Sequence, residues 1–341
     1  MAGWSLEEKV GQLFMVGVDV HAHAAISDQV VRDLHVGNVF LAGRTTAGVQ
    51  RVKNLVELFT GLVGPATTHS TPMFIATDQE GGKVQVLRGP GFSDIPSALD
   101  QSTLSSEVLR GHAVEWGTEL ASAGVNLDLA PVMGLVPDAA AAATNPPIGA
   151  LQRNYGFTVA DVTSHANAFS AGMEQAGVAV AIKHFPGLGS VTANTDTTTG
   201  VTDTTTTATS PQVAAFRSGI DAGAAFVMTS TAVYAQIDPT QPAAFSRAVV
   251  QGLLRDTLGF RGLVITDDLS AAAQVTGWSP GDRAVKAIEA GNDIVLASHS
   301  PDVVPEMVAA VVQRARSDPA FAAVVDAAAA RVVGAKAHLV R

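Results

Sequence analysis

The chain of 341 residues contains no cysteine, which excludes disulfide bonds, a thiolate nucleophile and zinc sites built on cysteine. Charged residues make up only 15% of the chain, and no basic stripe alternates with aromatic residues, so nucleic acid is not expected as a partner. The nine histidines show no metal-ligand spacing. His21 and His23 stand two apart without a nearby carboxylate pair, which is typical of a surface loop. We therefore expect neither a metal nor a cofactor.

Long apolar runs are also missing. No run reaches the roughly 18 residues that a membrane helix needs, and the start MAGWSLEEKVGQLFMVG lacks the basic and apolar regions of a signal peptide. With 47% hydrophobic residues, the composition predicts a globular protein with a large core. The chain as given is expected in the cytoplasm, and a removed leader or lipoprotein signal is the alternative that its start leaves open. The composition gives no indication of the oligomeric state.

Short runs rich in Val, Ile, Leu and Phe alternate with segments of helical periodicity, a pattern typical of βα units around a parallel sheet. Eight strands are predicted, at Gln12–Val16, Asn38–Ala42, Met73–Thr77, Val125–Ala130, Ala179–His184, Phe226–Ser230, Leu263–Asp267 and Asp293–Ala297. No G-x-G-x-x-G motif follows any of them, which argues against a dinucleotide-binding open sheet. The predicted fold class is α/β, a single (β/α)8 TIM barrel over residues 1–341 with extra helices at the C-terminus.

Local signals mark the ends of the predicted helices. Four of these helices end in Ala-Gly directly before a strand, at Ala123-Gly124, Ala176-Gly177, Ala222-Gly223 and Ala290-Gly291. Ser210-Pro211 and Ser279-Pro280 predict helix starts, as does Thr158 with Asp161. The threonine-rich stretch from Asn194 to Thr209 has no such pattern and is predicted to be a mobile loop.

Polar side chains follow several of the predicted strands, where the active site of a barrel lies. They are Asp78 and Glu80 after the third strand, Arg153 in the loop after the fourth, Lys183 and His184 ending the fifth, and Asp267 and Asp268 at the seventh. Each has a structural alternative: the carboxylates could cap helices, the Lys-His pair could be a solvated rim, and the arginine could anchor a loop. Taken together, they indicate a neutral polyhydroxylated substrate held by charge-assisted hydrogen bonds.

Five ordered segments carry a family resemblance: IATDQEGGKVQVL, NPPIGALQRNYG, AIKHFPGLG, VMTSTAVYAQIDPTQPAAFS and GLVITDDLS. They resemble the glycoside hydrolase family 3 N-acetyl-β-glucosaminidases from about Leu6 to about Ala297. The resemblance implies a retaining β-N-acetylhexosaminidase with a carbohydrate substrate, and in such enzymes muropeptide-derived sugars of cell wall recycling. It makes Asp267 the nucleophile that forms a covalent glycosyl-enzyme intermediate. It also makes Asp78, Arg153, Lys183 and His184 the residues that hold the sugar hydroxyl groups.

The sequence departs from the family pattern at the acid/base. The family reads K-H-F-P-G-H-G and then D-S-H, whose histidine is the acid/base, but this chain has Leu188 and Asp196-Thr197-Thr198 at these positions. A threonine hydroxyl is too weak an acid to protonate a leaving oxygen near neutral pH. Asp196, another loop carboxylate such as Asp203, or a rim residue is left to donate the proton.

Two further positions differ from the family pattern. Lys83 replaces an arginine after the double glycine, and small residues around Ser230-Thr231 replace a histidine of the sixth strand. Three functions are therefore open: a β-glycoside hydrolase, a phosphorylase or transglycosylase, or a sugar-binding barrel without turnover. The presence of Asp267 with the whole sugar-holding set favours an enzyme.

Overall fold

The computed structural model describes residues 1, 3–22 and 24–337. His23 lies outside the described residues, and His21 is exposed. The strands in chain order are β1 (Phe14–Asp19), β2 (Asn38–Ala42), β3 (Phe74–Thr77), β4 (Gln79–Gly81), β5 (Val84–Gln85), β6 (Leu127–Asp128), β7 (Ala179–Phe185), β8 (Thr202–Asp203), β9 (Phe226–Thr229), β10 (Val233–Tyr234), β11 (Asp238–Pro242), β12 (Leu263–Asp268) and β13 (Ile294–Ala297).

Eight of these strands form a closed parallel barrel in the order β1-β13-β12-β9-β7-β6-β3-β2. The barrel closes where β1 pairs with β13, with Phe14 opposite Val295. Each of the eight corresponds to one predicted strand, so the predicted fold is confirmed. The boundaries differ by a few residues: the first strand begins at Phe14 and runs to Asp19, and the fourth shortens to Leu127–Asp128. The strands read as continuous apolar runs because both faces of a parallel barrel are covered.

Helices surround the barrel. They are α1 (Leu6–Gly11), α2 (Ala25–Leu34), α3 (Val49–Thr60), α4 (Ala98–Gln101), α5 (Ser106–Ser122), α6 (Ala139–Ala143), α7 (Val159–Gln175), α8 (Pro211–Asp221), α9 (Pro280–Ala290), α10 (Val304–Ser317) and α11 (Pro319–Lys336). Short 3₁₀ turns lie at Gly149–Leu151, Ala243–Phe245, Ala273–Val275 and Pro301–Val303, and Ala248–Thr257 is a helix with π-type hydrogen bonds. None of the described helices is long and apolar enough to cross a membrane.

The predicted helix ends agree with the structure. All four Ala-Gly glycines have positive φ, between 84° at Gly124 and 113° at Gly291, which an L-residue adopts only with strain. The Thr158 hydroxyl accepts from the Asp161 amide at 3.1 Å, as an N-cap should. Ser210 also occupies an N-cap position, but its hydroxyl accepts from the Thr207 amide instead of capping α8.

The C-terminal helix α11 reaches the amino-terminal end of the barrel. Its last residue, Lys336, is fully buried and donates to Gln12 Oε1 at 2.7 Å and to the Gly37 carbonyl at 2.8 Å. No carboxylate pairs with it among the described residues, and burial holds the pKa of its amine well below its ordinary value. A neutral amine has two N–H donors, which match these two acceptors and attach α11 to the starts of β1 and β2.

The threonine-rich stretch is anchored, contrary to the predicted mobile loop. Val201 exchanges two hydrogen bonds with the Gln274 side chain, at 2.8 and 3.1 Å, and Thr195 and Asp196 accept from backbone amides of the turn that follows β12. Thr202–Asp203 pairs with β10 as a short strand. The sequence pattern missed these contacts because they are made to groups 31 residues away, in β10, and more than 70 residues away, around Gln274.

Candidate active site

One cavity lies at the carboxyl ends of the barrel strands and opens to solvent. All six residues predicted for the site line it, namely Asp78, Arg153, Lys183, His184, Asp196 and Asp267. Apolar side chains complete its wall: Phe40, Leu129, Pro147, Leu188, Met228 and Leu296. Leu188, which stands at a family histidine position, therefore contributes an apolar surface to the cavity.

A buried cluster of two cations and two carboxylates forms one side of the cavity. The amine of Lys183, 2% exposed, lies 2.6 Å from carboxylate oxygens of both Asp78 and Glu80. Arg153 binds both oxygens of Glu80, at 2.8 and 2.7 Å, and donates to the Pro147 carbonyl. Burial would raise the pKa of Glu80, but the two cations outweigh it and lower the pKa to about 2. Glu80 is therefore ionised throughout the neutral range.

Asp78 differs from Glu80 because it remains accessible from the cavity. Its side chain is 28% exposed, and only Oδ1 is bound to Lys183. Carboxylate and ammonium groups fixed in this way can accept from and donate to neighbouring hydroxyl groups without reorganising.

His184 follows Lys183 and is buried. Burial and the nearby charges of Arg153 and Lys183 hold the pKa of its imidazole well below the ordinary value, so the ring is neutral. Its Nδ1 atom has no hydrogen-bond partner among the described residues. A buried polar atom without a partner at a cavity wall is suited to bind a polar group of a ligand.

The paired aspartates of β12 have different environments. Asp268 is saturated: its oxygens accept from the Ser270 amide and hydroxyl, the Ala271 amide and the Ser298 amide, so it shapes the loops around the site. Asp267 lines the cavity and, among the described residues, accepts a hydrogen bond only from the Asp268 amide, at 2.8 Å. Burial and then the negative charge of Asp196 raise the pKa of Asp267 to about 8.

Asp196 lies at the exposed rim of the same cavity. Burial raises the pKa of Asp196, and repulsion from Asp268 and Asp78 raises it further. The positive charges of Arg153 and His299 act in the opposite direction. Thr198, at the position of the family histidine, is exposed and is not part of the cavity wall. Asp203, the other predicted loop carboxylate, is buried among the amides and hydroxyls of Thr205 and Thr206. The structure therefore makes Asp203 a structural residue and rules it out as a proton donor.

The sequence did not predict two residues of this region, Asp128 and His299. Asp128, at the end of β6, is fully buried; its Oδ1 accepts from the Gln79 amide at 2.9 Å, and burial raises its pKa to about 8. An aspartate inside the apolar run VNLDLA was the available signal. His299 lines the cavity from the loop after β13, where Ser-His-Ser follows an apolar strand. Glu80 was among the polar residues expected at this face, with helix capping as its alternative, but was not included in the predicted sugar-holding set.

A closed (β/α)8 barrel that presents carboxylates and cations around one cavity at its carboxyl face has the architecture of a barrel glycosidase. Among the residues that the structure describes, no group of histidines and carboxylates is arranged to hold a metal ion. The family model of the glycosyl hydrolase family 3 N terminal domain matches residues 5–335. The chain belongs to glycosyl hydrolase family 3 and is a glycosidase.

Known proteins agree with this family. A beta-hexosaminidase of Stenotrophomonas maltophilia is 34% identical over 258 residues, which cover 73% of this chain and 74% of that protein. A beta-hexosaminidase of Xylella fastidiosa is 33% identical over 311 residues, or 89% and 88% of the two chains. The crystal structure of a beta-N-acetylhexosaminidase from Beutenbergia cavernae is 60% identical and superposes with a TM-score of 0.98, covering 99% of this chain and 100% of that one.

Proposed function

We propose that the protein is a retaining β-N-acetylhexosaminidase that hydrolyses N-acetyl-β-glucosaminides, with Asp267 as nucleophile. The observation that carries this proposal is the position of Asp267 in the cavity that the cation-carboxylate cluster also lines. The relatives named beta-hexosaminidase and beta-N-acetylhexosaminidase support the substrate class. Peptidoglycan-derived N-acetylglucosaminides are the natural substrates to test first.

Asp267 is placed to form the covalent intermediate. Its free oxygen has no hydrogen-bond partner among the described residues, and the positive charge of Lys183 favours its ionised form. In the first displacement the carboxylate attacks the anomeric carbon as the bond to the aglycone oxygen breaks. In the second, water attacks the same carbon and releases Asp267, so the configuration is retained. The nearby cations keep the anionic form available, although burial and Asp196 oppose it.

The other site residues divide into sugar binding and proton transfer. Asp78 and Lys183 present a fixed acceptor and donor to the sugar hydroxyls, neutral His184 adds an unpaired nitrogen, and Arg153 completes this charged wall. Asp196 stands apart from this wall, on the exposed rim, and takes part in acid/base catalysis. Asp196 and Asp267 line the same cavity, and the negative charge of Asp196 raises the pKa of Asp267.

The proposal is tested by assaying the wild type and Asp267→Ala on an aryl N-acetyl-β-glucosaminide and an aryl β-glucoside, each with and without phosphate. We expect the wild type to prefer the N-acetylglucosaminide and the variant to lose turnover while still binding N-acetylglucosamine. Asp302→Ala is the matched control, because this exposed aspartate follows the neighbouring strand β13 but does not line the cavity.

The remaining functions give different results in the same assay. A rate that depends on phosphate would identify a phosphorylase, and products of higher mass with an alcohol acceptor would identify a transglycosylase. Sugar binding without turnover of any aryl glycoside would identify a binding protein and contradict the proposed hydrolysis. Activity of Asp267→Ala equal to that of the wild type would contradict the assignment of the nucleophile.

A further inference from the structure

Hydrolysis by the proposed route needs a side chain that gives a proton to the glycosidic oxygen and later takes one from water. Most titratable groups of the cavity cannot do so. Lys183 is held in its charged form by two carboxylates, and Glu80 is ionised against two cations. His184 is buried beside the same two cations, which disfavour its protonated form. Asp268 has both oxygens occupied by backbone and serine donors.

Asp78 is bound to the Lys183 amine at 2.6 Å and belongs to the sugar-binding wall. Two groups of the rim are then left, Asp196 and His299. They line the main cavity together and also form, with Asp268, part of a small recess beside it. A carboxyl group has an ordinary pKa of about 4, whereas an imidazole exchanges its proton near neutral pH. Burial raises the pKa of Asp196, although Arg153 and His299 act in the opposite direction, and its ordinary value lies well below that of an imidazole.

We propose that His299 is the general acid/base of this enzyme; this assignment rests on the proposed hydrolase function. His299 follows β13, and its side chain is 72% exposed at the cavity mouth. Its Nδ1 atom lies 2.8 Å from the Ser298 hydroxyl and 3.9 Å from Asp268 Oδ2. Its Nε2 atom has no hydrogen-bond partner among the described residues and is free for a substrate oxygen.

The loops around His299 fix its backbone and surround it with negative charge. The amide of His299 and that of Ser300 both donate to the Ser270 hydroxyl, which itself donates to Asp268. Asp268, at the end of β12, and Asp196, in the loop after β7, line the small recess with it. Asp78 and Arg44 line a second recess on the other side of His299. Arg44 donates a hydrogen bond to the Lys83 carbonyl. Carboxylates outnumber cations among these charged neighbours of the ring. In this proposal Asp196 is a charged neighbour of His299 in the same recess and does not itself donate the proton.

The proton balance of both displacements closes on these groups. In the first, Nε2–H of the imidazolium passes its proton to the glycosidic oxygen as the C1–O bond breaks and the Asp267 carboxylate bonds to C1, so an alcohol leaves and the imidazole is neutral. In the second, the imidazole takes a proton from water while the water oxygen bonds to C1 and the bond to Asp267 breaks. The imidazolium and the Asp267 carboxylate are then restored.

The test compares the wild type, His299→Gln, Asp196→Asn and the control His21→Gln on two substrates. His21 is an exposed histidine after β1, the strand next to β13, and does not line the cavity. The substrates are 4-nitrophenyl and methyl N-acetyl-β-glucosaminide. 4-Nitrophenolate can leave without being protonated, whereas methoxide must receive a proton in order to leave. We expect His299→Gln to lower kcat/KM for the methyl glycoside by roughly 10²- to 10⁴-fold and for the nitrophenyl glycoside by less than about tenfold.

Two further readouts separate proton transfer from a structural role. His299→Gln should lose the alkaline limb of the kcat/KM profile for the methyl glycoside, and azide should restore kcat on the nitrophenyl glycoside by replacing water, giving the β-glycosyl azide. Equal losses on both substrates, or none, would overturn the assignment of His299. A loss confined to the methyl glycoside in Asp196→Asn, with none in His299→Gln, would also overturn the assignment of His299. The proposed hydrolysis would then still stand. A wild type inactive on both glycosides would instead refute the hydrolase, and His299 with it.

Discussion

Arg153 holds the carboxylate of Glu80 with two parallel hydrogen bonds, from Nε at 2.8 Å and from Nη2 at 2.7 Å. Glu80 is 4% exposed, so its ion pair with Arg153 is shielded from water. The Glu80 carboxylate also binds the Lys183 amine. The arginine that the sequence suggested as a sugar ligand is therefore first a part of the site's framework. Its geometry keeps Lys183 and Asp78 in place beside it.

Glu80→Gln should destabilise the fold strongly, because it leaves two buried cations with one fewer counter-charge. We expect the free energy of unfolding at pH 7 to fall by about 3 kcal/mol or more. The folded-state pKa of about 2 lies below the ordinary 4.5, so the contribution of Glu80 is full above about pH 4.5 and is lost towards pH 2. The difference between wild type and variant, measured by urea denaturation, should shrink over that range. Glu57→Gln, on the exposed face of α3, should change little.

Asp196→Asn should lower the pKa of the nucleophile. Asp267 must be ionised to attack, and after burial the charge of Asp196 is the largest cause of its raised pKa of about 8. With the 4-nitrophenyl substrate, kcat/KM of the wild type should rise with an apparent pKa of about 8, and the variant should show the same rise at lower pH. Asp302→Asn should leave the profile unchanged. An unmoved acid limb in Asp196→Asn would show that the two carboxyl groups do not interact.

Asp128→Asn should remove part of the pH dependence of stability. The pKa of Asp128 is raised from 3.8 to about 8, so between these values the folded state holds a proton that the unfolded state releases. Wild-type stability should therefore fall as pH rises from about 4 to about 8, by up to about 1.4 kcal/mol per pH unit for this group. The asparagine keeps an oxygen for the Gln79 amide and does not titrate. Equal stability at pH 4 and a more stable variant at pH 9, by chemical denaturation, are the expected results.

Gln274→Ala should release the segment that carries Asp196. Gln274 is buried and makes two hydrogen bonds to the Val201 backbone, so its loss leaves a buried amide and carbonyl unpaired, at a cost of about 1–3 kcal/mol. We expect kcat/KM for the methyl glycoside to fall more than binding of N-acetylglucosamine, because the sugar-binding wall is elsewhere. Gln236→Ala, an exposed residue of the same region, serves as control. Full activity of Gln274→Ala would mean that the tie does not position Asp196.

The sequence predicted the barrel because each of its elements carries local signals. The eight strands are continuous apolar runs, and the helices before four of them end at glycines that need positive φ. The carboxyl ends of parallel strands meet at one face, so Asp78, Lys183 and Asp267 could be placed together without any knowledge of distances. Local pattern could not separate Asp267 from Asp268, since both follow the same strand.

The acid/base side depended on tertiary structure. The sequence by itself determined that a histidine is missing at Thr198 and that Asp196 is present, and it suggested Asp203 as a substitute. In the folded chain Asp203 is buried among threonine donors, and the threonine-rich segment is hydrogen-bonded to Gln274. His299, about 100 residues further along the chain, lines the same cavity. Periodicity and capping report neighbours within a turn or a strand, whereas contacts between loops depend on closure of the barrel. Closure of the barrel therefore decided which groups surround the nucleophile.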